Sequence, residues 1–181
     1  PDGSTGLTRE LYDAGDPTAY ANVTCVPEGE FMFYKKDVTL TGLSKLISFE
    51  DHAFGVTYQQ TLLIRGSYPA LERVGATAFY KAGTSDSSIN FSFGLPKLRE
   101  IDEQAFSYFA GTLTFAGSFP ELEEIMYAAF SWGSAPTQTT AHDIRPTARR
   151  QGQCTSMRSH MADGDPDRRR ECTQRQTLAQ P

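Results

Sequence analysis

No run of about 18 consecutive apolar residues occurs in this chain, so no segment is long and apolar enough to cross a membrane as a helix. Cysteine is scarce: Cys25, Cys154 and Cys172 are the three present, and an odd number gives no disulfide framework. Cys154, His160 and Cys172 match no compact zinc spacing and lack a fourth ligand, so no metal is expected. There is no phosphate-cradling glycine loop, nucleophile elbow or zinc-protease motif. No catalytic residue and no cofactor are therefore expected, and the chain reads as a non-enzyme. It begins at Pro1 and not at Met, which reads as a fragment or a processed product.

The remaining shortages are local. From residue 136 onward there is no Phe, Tyr, Trp or Lys, and Ile144 and Leu178 are the sole large aliphatics. Such a segment buries too little apolar surface to offset its ordering entropy, so residues 136–181 are expected to be a disordered, Arg-rich tail. Charge divides at the same place. Residues 1–135 carry 9 Lys+Arg against 17 Asp+Glu, a balance of -8, whereas residues 136–181 carry 8 Arg against 5 acids, a balance of +3. An acidic body argues against nucleic acid as a partner. The run Arg168-Arg169-Arg170 lacks aromatic neighbours for stacking and reads as solvated tail.

What the first 135 residues do contain is one block written four times. The copies are "LSKLISFEDHAF", "YPALERVGATAF", "LPKLREIDEQAF" and "FPELEEIMYAAF". Leu46, Leu71, Leu98 and Leu122 head them. Three residues on come Phe49, Val74, Ile101 and Ile125, then Ala53-Phe54, Ala78-Phe79, Ala105-Phe106 and Ala129-Phe130. The copies are spaced by 25, 27 and 24 residues, a solenoid period.

Before each block lies a short run of period-two alternation, which predicts a half-buried strand. Aligned on their prolines, "LLIRGSYP", "INFSFGLP" and "LTFAGSFP" put Leu62, Ile89 and Leu113 at one position and Ile64, Phe91 and Phe115 at another. A glycine follows in each (Gly66, Gly94, Gly117), and it turns the chain without steric cost. The first copy, "VTLTGLS", lacks the proline and reads as a degenerate end repeat. One unit alone cannot hide a Leu and a Phe. Stacked units can, each leaning on the next, with strands paired in parallel about 4.8 Å apart.

These blocks resemble BspA-type leucine-rich repeats, whose signature is Leu-x-x-Ile-x-x-x-Ala-Phe followed by a short strand; "TLTFAGSFPELEEI" is also similar to the receptor L-domain style of solenoid. The BspA-like match covers residues 37–133. The resemblance implies an α/β repeat solenoid of leucine-rich-repeat type, mostly short parallel strands and loop, used in adhesion or in recognition of a host or environment. The expected organisation is an N-terminal loop and partial cap over 1–36, a four-repeat solenoid over 37–135, and the tail over 136–181. Within the cap, Phe31 and Phe33 are expected to alternate inward, and residues 1–20 to be loop. The repeat stops after "AFSWGS" with no closing cap, so the C-terminal edge is expected to be adhesive and open to self-association.

Solenoids bind partners on a sheet face, because a wide and rigid surface loses little entropy on binding. The candidate binding face is Leu63, Asn90 and Thr114 with Arg65, Ser92 and Ala116. The expected ligand is a protein or a glycan. Asn22-Val23-Thr24 and Asn90-Phe91-Ser92 fit the glycosylation acceptor pattern, so Asn22 and Asn90 are candidate modification sites in a secreted or cell-surface protein. A glycan on Asn90 would block the candidate face. The carboxylates Glu100, Asp102, Glu103, Glu123 and Glu124 read as a solvent-facing acidic surface in preference to a catalytic pair. His52 shares its slot with Thr77, Gln104 and Ala128 and reads as surface filler. Two other readings use the same residues: a targeting region attached to an enzyme domain elsewhere, and a truncated gene remnant with an altered frame after residue 135. Full-length sequence would separate them.

Overall fold

The computed structural model describes residues 5–131. Over them the chain winds into a parallel-strand solenoid of about four turns. A short helix, α1 (Arg9–Asp13), and a 3-10 helix (Pro17–Asn22) come first. Nine strands follow: β1 (Cys25–Val26), β2 (Val38–Thr41), β3 (Ser48–Phe49), β4 (Leu62–Arg65), β5 (Arg73–Val74), β6 (Ser88–Phe91), β7 (Glu100–Ile101), β8 (Thr112–Phe115) and β9 (Glu124–Ile125). The four-residue strands form one parallel sheet in the order β2-β4-β6-β8, and the two-residue strands a second in the order β1-β3-β5-β7-β9. Each coil therefore gives one strand to each sheet, and every strand pairs with its equivalents one coil away.

Local chemistry explains the two sheets. In the longer strands alternate residues are buried: Val38 and Leu40, Leu62 and Ile64, Ile89 and Phe91, Leu113 and Phe115. The two-residue strands carry the residues three after each Leu, and Phe49, Val74 and Ile101 are fully buried. Between the sheets runs a column of rings. Phe31, Phe54, Phe79, Phe106 and Phe130 stack with centroids 4.9, 5.4, 5.1 and 5.4 Å apart and planes within 15° of parallel. The alanines before Phe54, Phe79, Phe106 and Phe130 serve the same ladder. The amides of Phe54, Phe79 and Phe106 donate to the carbonyls of Ala78, Ala105 and Ala129, each at 2.7 Å. These alanines are buried, so a larger side chain would push the coils apart.

Four expectations are corrected. Residues 1–20 are not loop throughout. Thr8 caps α1 through its hydroxyl, which accepts from the Leu11 amide at 3.2 Å, and Asp16 caps the 3-10 helix by accepting from Thr18 at 2.9 Å. Phe31 points inward, but Phe33 lies 60% exposed, because its φ of 58° turns it away from the ring column. The first copy lacks the proline and its spacer is one residue shorter, but it is a full rung and not the end of the stack: β2 pairs with β4 along its whole length, from Val38 opposite Leu62 to Thr41 opposite Arg65, and β1 adds a further rung before it in the other sheet.

The fourth correction is the strand register. Ile64, not Leu62, lies opposite Ile89, and Ile89 lies opposite Leu113. The cause is spacer length. Seven residues separate Ile64 from Leu71, but nine separate Ile89 from Leu98 and Leu113 from Leu122. The short spacer instead supplies Tyr68, whose buried ring meets Phe91 at 5.7 Å and whose hydroxyl donates to the Leu40 carbonyl at 3.2 Å. The expected tail, with Cys154, His160, Cys172 and Arg168–Arg170, lies outside the described residues.

Candidate functional site: the outward sheet face

The residues that alternate with the core positions of the four-stranded sheet point away from the solenoid. Strand pairing sets them in two rows. Thr39 lies opposite Leu63, Leu63 opposite Ser88, and Ser88 opposite Thr112. Thr41 lies opposite Arg65 and Asn90 opposite Thr114, and continuing the β4–β6 register brings Arg65 level with Asn90. Of the expected face, Leu63, Arg65, Asn90 and Thr114 thus lie in the sheet. Leu63, Asn90 and Thr114 are half-buried and Arg65 is exposed. Ser92 and Ala116 fall just beyond the ends of β6 and β8 and belong to the turns.

Thr39, Thr41, Ser88 and Thr112 complete the rows and were missed by the sequence argument. The alternation in "VTLT" was the available signal for the first two; the proline alignment displaced the others. Across the eight positions Arg65 is the one charge, on a body whose first 135 residues balance at -8. The face is otherwise hydroxyl, amide and one Leu. It presents hydrogen-bonding groups on a backbone already tied coil to coil. Asn90 turns its carbonyl oxygen onto its own chain, accepting from the Ser92 amide at 2.9 Å. Of the two candidate acceptors, Asn22 is exposed at the end of the 3-10 helix, where its carbonyl oxygen accepts from Lys45 Nζ at 2.7 Å.

Where the 3-10 helix passes the first edge of this sheet there is a recess of about 370 Å³. Tyr20, Ala21, Thr39, Thr41, Gly42, Leu43 and Ser44 line it. Tyr20 is held in place: its hydroxyl donates to the Tyr12 carbonyl at 3.0 Å and its ring lies parallel to that of Tyr12, 6.3 Å away. Burial, with the nearby Tyr12 and Asp16, raises the Tyr20 pKa above the usual phenol value, so the hydroxyl stays a neutral donor.

The acidic surface lies on the other, two-residue-strand sheet, and it differs from expectation in one place. Asp102 is buried, not solvent-facing. Arg73 reaches it from the preceding coil and donates to it, and also donates to Glu50 at 3.0 Å and Asp51 at 2.8 Å, with Glu100 at 3.8 Å. Burial opposes the charge on Arg73, but its hydrogen bonds to Asp102 and Asp51 outweigh that and raise its pKa. Burial, and then the neighbouring Asp102 carboxylate, raise the pKa of Glu100. A carboxylate held by a guanidinium from the preceding coil ties the coils together. Among the described residues no group of three or more His, Cys, Asp or Glu is placed to hold a metal ion.

His52 is exposed, as expected for surface filler, but its slot is special. His52, Thr77, Gln104 and Ala128 all have φ between 53° and 57°, and Gly29 holds the same place one coil earlier with φ 62°. In this left-handed turn His52, Thr77 and Gln104 donate their amides across to the next coil, at 2.9, 2.9 and 3.1 Å, as Gly29 does to Asp51 at 3.0 Å. Conformation, and not side-chain chemistry, is what this slot constrains.

No family model, curated protein or solved structure matches this chain.

Proposed function

We propose that this chain is a non-enzymatic binding module, a leucine-rich-repeat solenoid of BspA type, which takes a protein or glycan ligand on the outward face of its four-stranded sheet at a cell surface or outside the cell. The observation that carries the reading is the pair of aligned rows from Thr39 to Thr112 and from Thr41 to Thr114, with one charge in eight positions. A face of this kind keeps its shape on binding, so little ordering entropy opposes association. The exposed sequon at Asn22 agrees with an exported protein.

The test is a screen of the full chain against immobilised glycans and a surface-protein library, repeated with Arg65→Glu and Thr114→Lys. Both positions point away from the core, so both variants should fold. A bound ligand should lose at least about tenfold in affinity, about 1.4 kcal/mol, in each variant. Ligands bound equally well by both, but lost on changing Glu100, Glu123 or Glu124, would move the site to the acidic sheet and sink the proposal.

A second contact surface is favoured by the last coil. Among the described residues, β8 and β9 have no strand beyond them, and Ile125 and Phe130 are only partly buried where Ile101 and Phe106 are covered. We propose self-association through this end. The first end is covered by Leu7, α1 and the 3-10 helix, so the contact would join the last described coils of two copies and stop at a dimer.

A further inference from the structure

The recess between the 3-10 helix and β2 has the chemistry of a sugar subsite. We propose that it holds one neutral sugar residue of a glycan whose remaining residues run along the outward face; this rests on the reading of that face as a binding surface.

Three observations carry it. First, the size is right: about 370 Å³ lies at the lower end of the range for small-molecule sites, with room for a single ring. Second, the lining is right. It offers one tyrosine ring fixed by its own hydrogen bond, and the hydroxyls of Thr39, Thr41 and Ser44, with no charged side chain. Among the described residues no hydrogen bond engages the hydroxyls of Thr39 or Thr41, so both are available to a ligand. A sugar ring presents apolar C–H faces to an aromatic wall and hydroxyls to hydroxyls. An ionic ligand would find no counter-charge in the lining.

Third, the sheet edge here is too short for a peptide. Strand addition needs a run of free backbone groups. The Tyr12 hydroxyl already closes the start of β2, accepting from the Thr39 amide at 2.8 Å and donating to the Asp37 carbonyl at 3.3 Å. Gly42, with φ 60°, turns the chain away after Thr41. Between them the alternation of a strand leaves the Thr41 amide on this edge, one donor beside the recess that Thr41 lines. One donor suits a ring hydroxyl or ring oxygen and not an added strand.

The experiment is an amide-resolved NMR titration of the full chain with methyl glycosides of glucose, mannose, galactose and N-acetylglucosamine, with glucuronic acid as the charged control. The expected result is millimolar binding of at least one neutral glycoside, with shifts confined to Ala21, Thr39, Thr41, Gly42 and Ser44. Ala21→Trp, which fills the recess from an exposed helical position, should abolish it. Thr41→Val, close to isosteric, should weaken it at least about tenfold while the spectrum stays native. Shifts centred on Arg65, Asn90 and Thr114 that survive Ala21→Trp would overturn the recess and leave the face reading standing. A response to glucuronic acid alone would overturn neutrality. Silence to every sugar, with a protein ligand recovered in the screen, would overturn the sugar subsite and keep the binding module.

Discussion

The left-handed slot shows how much a single residue contributes here. A non-glycine residue in this conformation is strained by roughly 1 kcal/mol, because its Cβ crowds the following carbonyl oxygen. The chain accepts that at His52, Thr77, Gln104 and Ala128, and again two residues after each of the first four rings, at Phe33, Val56, Lys81 and Tyr108. Gly29 alone carries none of it, and a Cβ added there would meet no atom within 4 Å. Gly29→Ala should therefore destabilise the protein by about 1 kcal/mol through the backbone alone, and Ala128→Gly should stabilise it by a similar amount. Urea unfolding of the three proteins measures both, and equal midpoints would show that the slot is not strained. This strain was not legible beforehand, since His, Thr, Gln and Ala do not advertise positive φ. The one glycine that does sits in "VPEGEF", which lacks the Ala-Phe signature and stood outside the alignment.

Among the elements, the parallel pairing, the half-buried strands and the inward Leu, Ile/Val and Phe positions were legible, because a repeated apolar period has one way to hide itself. The two-residue strands were not, being too short for any period to show. The register between β4 and β6 was misread because proline was used as the anchor. Proline follows the Gly turn, whose length differs by two residues between coils, whereas the buried strand residues set the pairing. A shift of two keeps every side chain on its own face, so Leu63, Arg65, Asn90 and Thr114 stay on the outward side although their rows change, and Ser92 and Ala116 fall beyond the strands. N-terminal helices had a readable signal in Asp16-Pro17, an N-cap followed by the favoured first-turn proline.

Between β5 and β7 the Arg73 cluster gives an element-scale test. The folded state holds the Glu100 proton more tightly than the unfolded chain does, because burial and Asp102 raise its pKa above 4.5. That contribution is full below the ordinary glutamate value and is lost as pH rises through the folded value. Glu100→Gln should then be more stable than the parent near neutral pH. The advantage should vanish in acid, where the parent carboxyl is protonated too. Denaturant midpoints at about pH 7 and about pH 3, on either side of the carboxylate range, decide it. An advantage that persists in acid would assign the effect to packing.

At the scale of the whole molecule, the stability of a stacked array is approximately a sum over coils and the interfaces between neighbours. Residues 137–181 carry none of the repeat residues, so a chain ending at residue 136 should keep its circular dichroism and melting temperature. The same shortened protein should sediment as a monomer–dimer mixture whose balance shifts with concentration. A lost fold would show that the Arg-rich segment supports the body, and a strict monomer at all concentrations would remove the end-to-end contact.

The nearest-neighbour ladder also bears on how such a chain lengthens. Because the strand pairing repeats from coil to coil, an in-frame duplication of one 24- to 27-residue unit would slot into the stack without altering the helical lid. Reach along the outward surface would then grow by a fixed step per duplication, set by genetics and not by redesign of the packing.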